Sequence, residues 1–166
     1  MSKLKKLLFI ALLSAVGAVV GIVESMLPVL PSIPGGKIGF ANIVTVTALY
    51  VSGGAAAIMV SVVRTIISSA LYGGFNAFIY SFSGAILSTL VMITVKNIAG
   101  SKMTPIGVSV LGAASHNAAQ VTVAWCIVKS NALWSYLGVL LLISVLGGIC
   151  SGYCSAECIK RLIKYE

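Results

Sequence analysis

The chain contains no aspartate, and its 166 residues include three glutamates, one histidine and four prolines, with charged residues making up 8%. So few charges exclude a soluble domain, in which about a quarter of the residues are charged and cover the exterior. Two of the glutamates, Glu157 and Glu166, lie in the basic C-terminal end, so no group of carboxylates is present to hold a Mg²⁺–diphosphate substrate. The chain also lacks a Gly-x-x-x-x-Gly-Lys-Ser/Thr run, so it does not draw on ATP by itself. A single histidine with no nearby acid or cysteine offers no metal set, and nothing in the pattern implies a cofactor.

What the chain has instead is apolar length: 59% of its residues are hydrophobic. Runs of membrane-crossing length are separated by Gly, Pro, Lys or Asn, and they place spans near 7–27, 38–52, 55–72, 77–95, 105–128 and 133–158. The expectation is an all-α membrane protein of six transmembrane helices, with residues 1–166 forming a single integral membrane domain. With the N-terminus in the cytoplasm, Lys3, Lys5, Lys6, Lys96, Lys102, Lys160, Arg161 and Lys164 lie inside and only Lys37 and Lys129 outside, as the positive-inside rule requires. The net charge of +8 therefore orients a membrane protein and does not mark a nucleic-acid surface. The N-terminal lysines and the apolar run after them also have the outline of a signal peptide, with SAVGA as a loose cleavage site. That run continues unbroken to Leu27, however, and reads as an uncleaved first helix. No repeat or inverted symmetry is visible.

The second span, IGFANIVTVTALYVS, covers about 22 Å as a helix against a hydrocarbon core of about 30 Å. The stretch before it, PVLPSIPGGK, is too rich in proline and glycine to be helical. It reads either as an ordinary outer loop or as the wall of a binding site, since irregular backbone at membrane depth needs cover from protein or water.

On the first helix, Ala11, Ser14, Ala15, Ala18, Gly21 and Ser25 recur at helical spacing, and Gly17 with Gly21 adds a GxxxG pair. Small stripes let two backbones approach closely in lipid, so this face meets another helix, either within the bundle or on a partner, with Ala11, Ala15 and Ala18 as the docking candidates. The last helix has a comparable face of Gly147, Gly148, Ser151, Gly152 and Ser155, which suits packing inside the bundle. Cys150, Cys154 and Cys158, one turn apart on that helix, and Cys126 are expected as small buried packing residues.

Polar residues at depth carry the remaining information. Arg64 lies mid-span, where a cation costs at least about 2.5 kcal/mol, so it either pairs with Glu24 near the outer end of the first helix or faces a cavity that receives an anionic or carbonyl-bearing ligand. His116 and Gln120 share one face of the fifth helix, and Asn117 points about 100° away. His116 and Gln120 either join helices by hydrogen bonds or line the same cavity as Arg64, with Asn42, Asn76, Tyr80, Ser83 and the loop residue Lys37 contributing.

These residues carry a resemblance. Glu24 before the proline loop, the Gly36-Lys37-Ile38-Gly39-x-Ala41-Asn42 run, Arg64, SFSGAILS at 81–88 and VSVLGAASHNAAQ at 108–120 resemble the Gx transporter family, also labelled heptaprenyl diphosphate synthase component I, over residues 11 to 155. Ala119, where the family pattern has Gly, and GGFNAF at the start of the fourth span depart from it. The family is similar to the S components of energy-coupling-factor transporters. That similarity implies a six-helix bundle in the prokaryotic plasma membrane with both termini cytoplasmic and a substrate site toward the outer face. It also implies a first-helix small-residue stripe that docks onto a transmembrane coupling protein driven by two cytosolic ATPases. The implied function is to bind a small vitamin-like or anionic compound, such as a flavin, for import. The alternatives are a non-catalytic membrane component of heptaprenyl diphosphate synthase and a membrane anchor of a redox assembly. The topology is checked by placing single cysteines in a cysteine-free background. Ser32→Cys and Asn131→Cys react with an impermeant thiol reagent in intact cells and Ser101→Cys does not, whereas equal labelling of all three removes the six-span arrangement with both ends inside.

Overall fold

In a medium without water, backbone groups must bond within their own segment, and apolar runs of this kind have the helix as their solution. In the computed structural model, which describes residues 2–26 and 39–164 apart from the side chains of residues 73, 76, 77 and 101, every element is helical. The helices are α1 (Lys3–Met26), α2 (Asn42–Ser52), α3 (Gly54–Ser68), α4 (Gly74–Ala99), α5 (Pro105–Val128) and α6 (Ala132–Lys164). A π-helical turn over Ser69–Gly73 extends α3, and a 3₁₀ turn over Gly100–Lys102 follows α4. The expected proline loop at 28–37, with Lys37, lies outside the described residues.

Among the described residues, four segments are long and apolar enough to cross a membrane: Lys3–Met26, Gly54–Tyr72, Phe78–Ala99 and Ala132–Lys164. Of the two other helices, α2 is the most enclosed in the bundle. α2 is only 11 residues, about 16 Å, and begins at Asn42, later than the expected 38, because Gly39 with its φ of 95° and Phe40 form a turn ahead of it. α5 has the expected bounds, since the Thr104 hydroxyl accepts from the Gly107 amide and Pro105 occupies the first turn. α6 runs past the expected 158 to Lys164, carrying a Glu157–Arg161 ion pair at 3.0 Å on an exposed basic end that outlasts the hydrocarbon.

α2 touches all five other helices, which follow one another around it in the order α1, α3, α4, α5, α6. Val44, Val46, Ala48 and Leu49 of α2 form the core with Ala57 and Val60 of α3, Met92 of α4 and Val108 of α5. Gly53, at a φ of 88°, makes the sharp turn from α2 into α3, a conformation that side-chain-bearing residues rarely adopt.

Both ends of α2 are closed by charges from other helices. At its N-terminus the Glu24 carboxylate of α1 accepts the amides of Gly39 and Ala41. At its C-terminus the Lys96 ammonium of α4 donates to the Leu49 carbonyl at 2.8 Å and lies 4.5 Å from the centre of the Tyr50 ring. Anion at the start and cation at the end is the favourable arrangement for a helix dipole, and it satisfies groups that such a short helix cannot pair itself.

The small face of α6 packs on α5. A Cβ on Gly148 would lie 2.6 Å from the Val110 Cα, and one on Gly152 would lie 2.5 Å from the Ile106 Cα, so both positions exist for backbone contact. The Ser109 and Ser151 hydroxyls bond at 2.8 Å across this seam, and the Ser155 hydroxyl reaches the Ile43 carbonyl of α2 at 3.2 Å. Because glycine and serine take the inward face, the cysteines fall elsewhere. Cys126, Cys150, Cys154 and Cys158 are all exposed, which corrects the expectation that they pack inside. At the α5–α6 turn the Trp125 and Trp134 rings lie 6.2 Å apart and the Trp125 Nε1 donates to the Asn131 Oδ1 at 3.1 Å, an aromatic pair of the kind found at membrane interfaces.

Gly148→Ala and Gly152→Ala each lower thermal stability in detergent by about 1–3 kcal/mol, the cost of overpacking against backbone. Gly138→Ala, at a site with open space around it, is neutral or stabilising by up to about 1 kcal/mol. Equal effects at the three positions would mean that the α5–α6 seam is not close-packed.

Candidate functional site

Five helices bring polar groups to one cavity inside the bundle. It is lined by Gly21 and Glu24 of α1, Gly39, Ala41 and Asn42 at the start of α2, Arg64, Thr65 and Ser68 of α3, Ser81 of α4 and His116 of α5. Its volume is about 20 Å³, room for about one water molecule or a small polar group.

The inner face of α1 makes the room for Arg64. A Cβ on Gly17 would stand 3.0 Å from the Arg64 Cδ and 2.5 Å from Val44 Cγ2, so the guanidinium stem lies where only glycine leaves space. The first-helix GxxxG pair is therefore consumed by packing within the bundle: Gly17 against Arg64 and Val44, Gly21 against Ala41 and Ser68. Ala18 is also buried on this side, whereas Ala11 and Ala15 are exposed. The proposed stripe thus divides between two faces.

Arg64 is 7% exposed, yet its Nη2 makes a single hydrogen bond, 3.3 Å to the Asn42 Oδ1, and its Nε has no partner among the described residues. Glu24, 4% exposed, does not pair with it; the one ion pair among the described residues joins Arg161 and Glu157. Glu24 is instead held by the amides at the start of α2. The two charges face a common space without contact because Glu24 is seven residues, about 10 Å, along α1 from Gly17, where the Arg64 stem rests.

His116 enters from α5 through a second glycine gap, since a Cβ on Gly84 of α4 would stand 2.9 Å from its Nε2. Asn117, on the neighbouring face, is turned to α6 and donates to the Ser144 hydroxyl at 2.7 Å. The polar motif of α5 is thus split, with His116 at the cavity and Asn117 as an interhelical tie.

Of the residues singled out in the sequence, Arg64, His116 and Asn42 meet at this cavity. Gln120 is buried one turn away and Tyr80 and Ser83 are half-buried; none of the three lines it. Ser83 bonds back to the Tyr80 carbonyl of its own helix at 3.0 Å. Lys37 and the side chain of Asn76 lie outside the described residues. Sequence reasoning missed Thr65, Ser68 and Ser81 and treated Glu24 only as a counter-ion. The available signal was spacing: Ser61, Thr65 and Ser68 repeat along one face of α3, as Gly17, Gly21 and Glu24 do on α1.

The sequence model of a family described as heptaprenyl diphosphate synthase component I matches residues 13–158. No curated protein and no solved structure matches the chain.

Because Arg64 has no acid in contact among the described residues, Arg64→Met is at least as thermally stable in detergent as the parent, in keeping with the small or favourable effect of replacing a buried charge by a hydrophobe. Glu24→Ala leaves the Gly39 and Ala41 amides unpaired and lowers stability by about 1–3 kcal/mol. A marked loss for Arg64→Met that Glu24→Gln restores would show a structural ion pair in its place.

Proposed function

The chain belongs to the heptaprenyl diphosphate synthase component I family, and from that premise we propose that it is the substrate-binding membrane subunit of an energy-coupling-factor-type importer in the prokaryotic plasma membrane. The observation that carries this reading is the buried Arg64 guanidinium, which uses one hydrogen bond and turns toward a cavity shared with Asn42, His116 and Glu24. A cation at such a place in a membrane bundle is kept where water or a ligand reaches it, and a guanidinium fork suits a carboxylate or carbonyl. The cavity holds little more than one water as it stands, so a vitamin-sized compound such as a flavin enters only with movement of the surrounding elements.

Energy for release must come from elsewhere, because the chain has no ATP-binding run. The exposed face of α1 at Ala11 and Ala15, continuous with Leu4, Leu8 and Leu12, is the surface we assign to a transmembrane coupling protein that carries two cytosolic ATPases. Small residues there allow close helix approach, and leucines around them add contact area. Ala18 belongs to the bundle interior and is left out of this surface.

The family's description favours a second reading, a non-catalytic membrane component of heptaprenyl diphosphate synthase; a redox anchor is a third. With no aspartate and with Glu24 tied to the start of α2, the chain has no carboxylate set for diphosphate, so any prenyl chemistry would belong to a partner. Co-purification distinguishes these readings. Ala15→Leu leaves the melting temperature unchanged within about 0.5 kcal/mol of stability, because its site is exposed, and abolishes co-purification of a membrane partner and an ATPase pair. Recovery of a soluble prenyl synthase in place of ATPases, or partner binding untouched by Ala15→Leu, would overturn the importer reading.

A further inference from the structure

Glu24 and Arg64 are opposite charges that line one cavity without neutralising each other by contact. The two Glu24 oxygens accept backbone amides at the positive end of α2, a position that suits an anion. Arg64 is a permanent cation. Among the described residues, the other polar side chains that line the space, Asn42, Thr65, Ser68, Ser81 and His116, carry no fixed charge.

Hydrogen-bonding capacity remains on both ions. A carboxylate has about four acceptor positions, of which Glu24 fills two among the described residues, and a guanidinium has about five N–H groups, of which Arg64 uses one among them. A monoanion bound to Arg64 would leave the buried site with a net negative charge beside Glu24, and a monocation bound to Glu24 would leave it positive beside Arg64. Either excess charge is expensive where water is scarce.

From this balance we infer that the cavity recognises a small zwitterionic head group, its carboxylate on Arg64 and its ammonium on Glu24. The inference rests on the reading of the cavity as a ligand site and narrows the ligand from an anion to a molecule with both charges. Once the surrounding elements move to admit it, the ammonium supplies an ionic contact to Glu24, the carboxylate takes the remaining N–H groups of Arg64, and the two charges of the ligand balance those of the two residues. Asn42, already bonded to Arg64, fixes the guanidinium so that the fork is aimed before the ligand arrives.

The test uses purified protein in detergent at pH 8, where an ordinary imidazole is neutral. Glycine, β-alanine and γ-aminobutyrate, which separate the same two charges by increasing numbers of methylenes, are compared with acetate and methylammonium at equal concentration. One zwitterion raises the melting temperature by about 2 °C or more above both single-charge controls, with an optimum in chain length that a general solute effect would not produce. Glu24→Gln shifts the preference to acetate and Arg64→Gln to methylammonium; the second variant keeps the test intact where the first disturbs α2. Acetate equal to or better than every zwitterion in the parent overturns the inference and leaves the importer reading standing. No response to any of the five compounds overturns it as well. A zwitterion preference in a protein that co-purifies with no coupling partner counts against the importer reading alone.

Discussion

The bundle depends on closing the ends of a helix that is too short for the medium around it. α2 has 11 residues, so a large share of its amide and carbonyl groups lack partners within the helix. In hydrocarbon each such group costs several kcal/mol if left unpaired. Glu24 from α1 and Lys96 from α4 close the two ends, and this fixes where α1 and α4 stand relative to the centre. With α2 held in this way its apolar faces become the core for every other helix, and its first residue, Asn42, is placed against Arg64. One buried acid thus serves as a helix cap and as part of a polar cavity.

Glycine decides how closely the remaining parts approach, and it does so differently on the two sides of the molecule. Along α5 and α6, Gly148 and Gly152 bring backbone to backbone, and the Ser109–Ser151 and Asn117–Ser144 bonds join the seam. Around the cavity, Gly17 and Gly84 make room for the large polar side chains of Arg64 and His116. The first arrangement gains dispersion contact where no hydrophobic driving force acts between helices. The second admits polar groups of the kind that a lipid-facing position would reject.

Much of this was legible in the sequence, for reasons tied to particular residues. The limits of α5 followed from Pro105 and from Lys129 and Asn131 after Val128, and the prominence of Arg64, His116 and Asn42 followed from the cost of polarity at depth. Hydropathy failed where it treats unlike surroundings as equal. Cysteine scores as apolar whether it meets lipid or protein, so the outward position of Cys150, Cys154 and Cys158 required knowing that glycine and serine hold the other face. Serine was hard to read because many serines here, such as Ser14 and Ser83, bond to their own helix and carry no signal of a site, so Ser68 and Ser81 did not stand out. The 16 Å between the ends of α2 hid the role of Lys96, which acts on a helix far from it in sequence.

The exposed cysteines of α6 have a use as a measuring device. Cys150, Cys154 and Cys158 stand one turn apart on a straight run of helix, so their sulfurs are displaced along its axis in steps of about 6 Å. Each thiol is open to its surroundings and none belongs to the core cluster or to the cavity. A nitroxide attached to each in turn would sample three depths without disturbing the packing. The contrast between oxygen, which concentrates in acyl chains, and a water-soluble relaxation agent would then locate the boundary between oil and headgroups along α6.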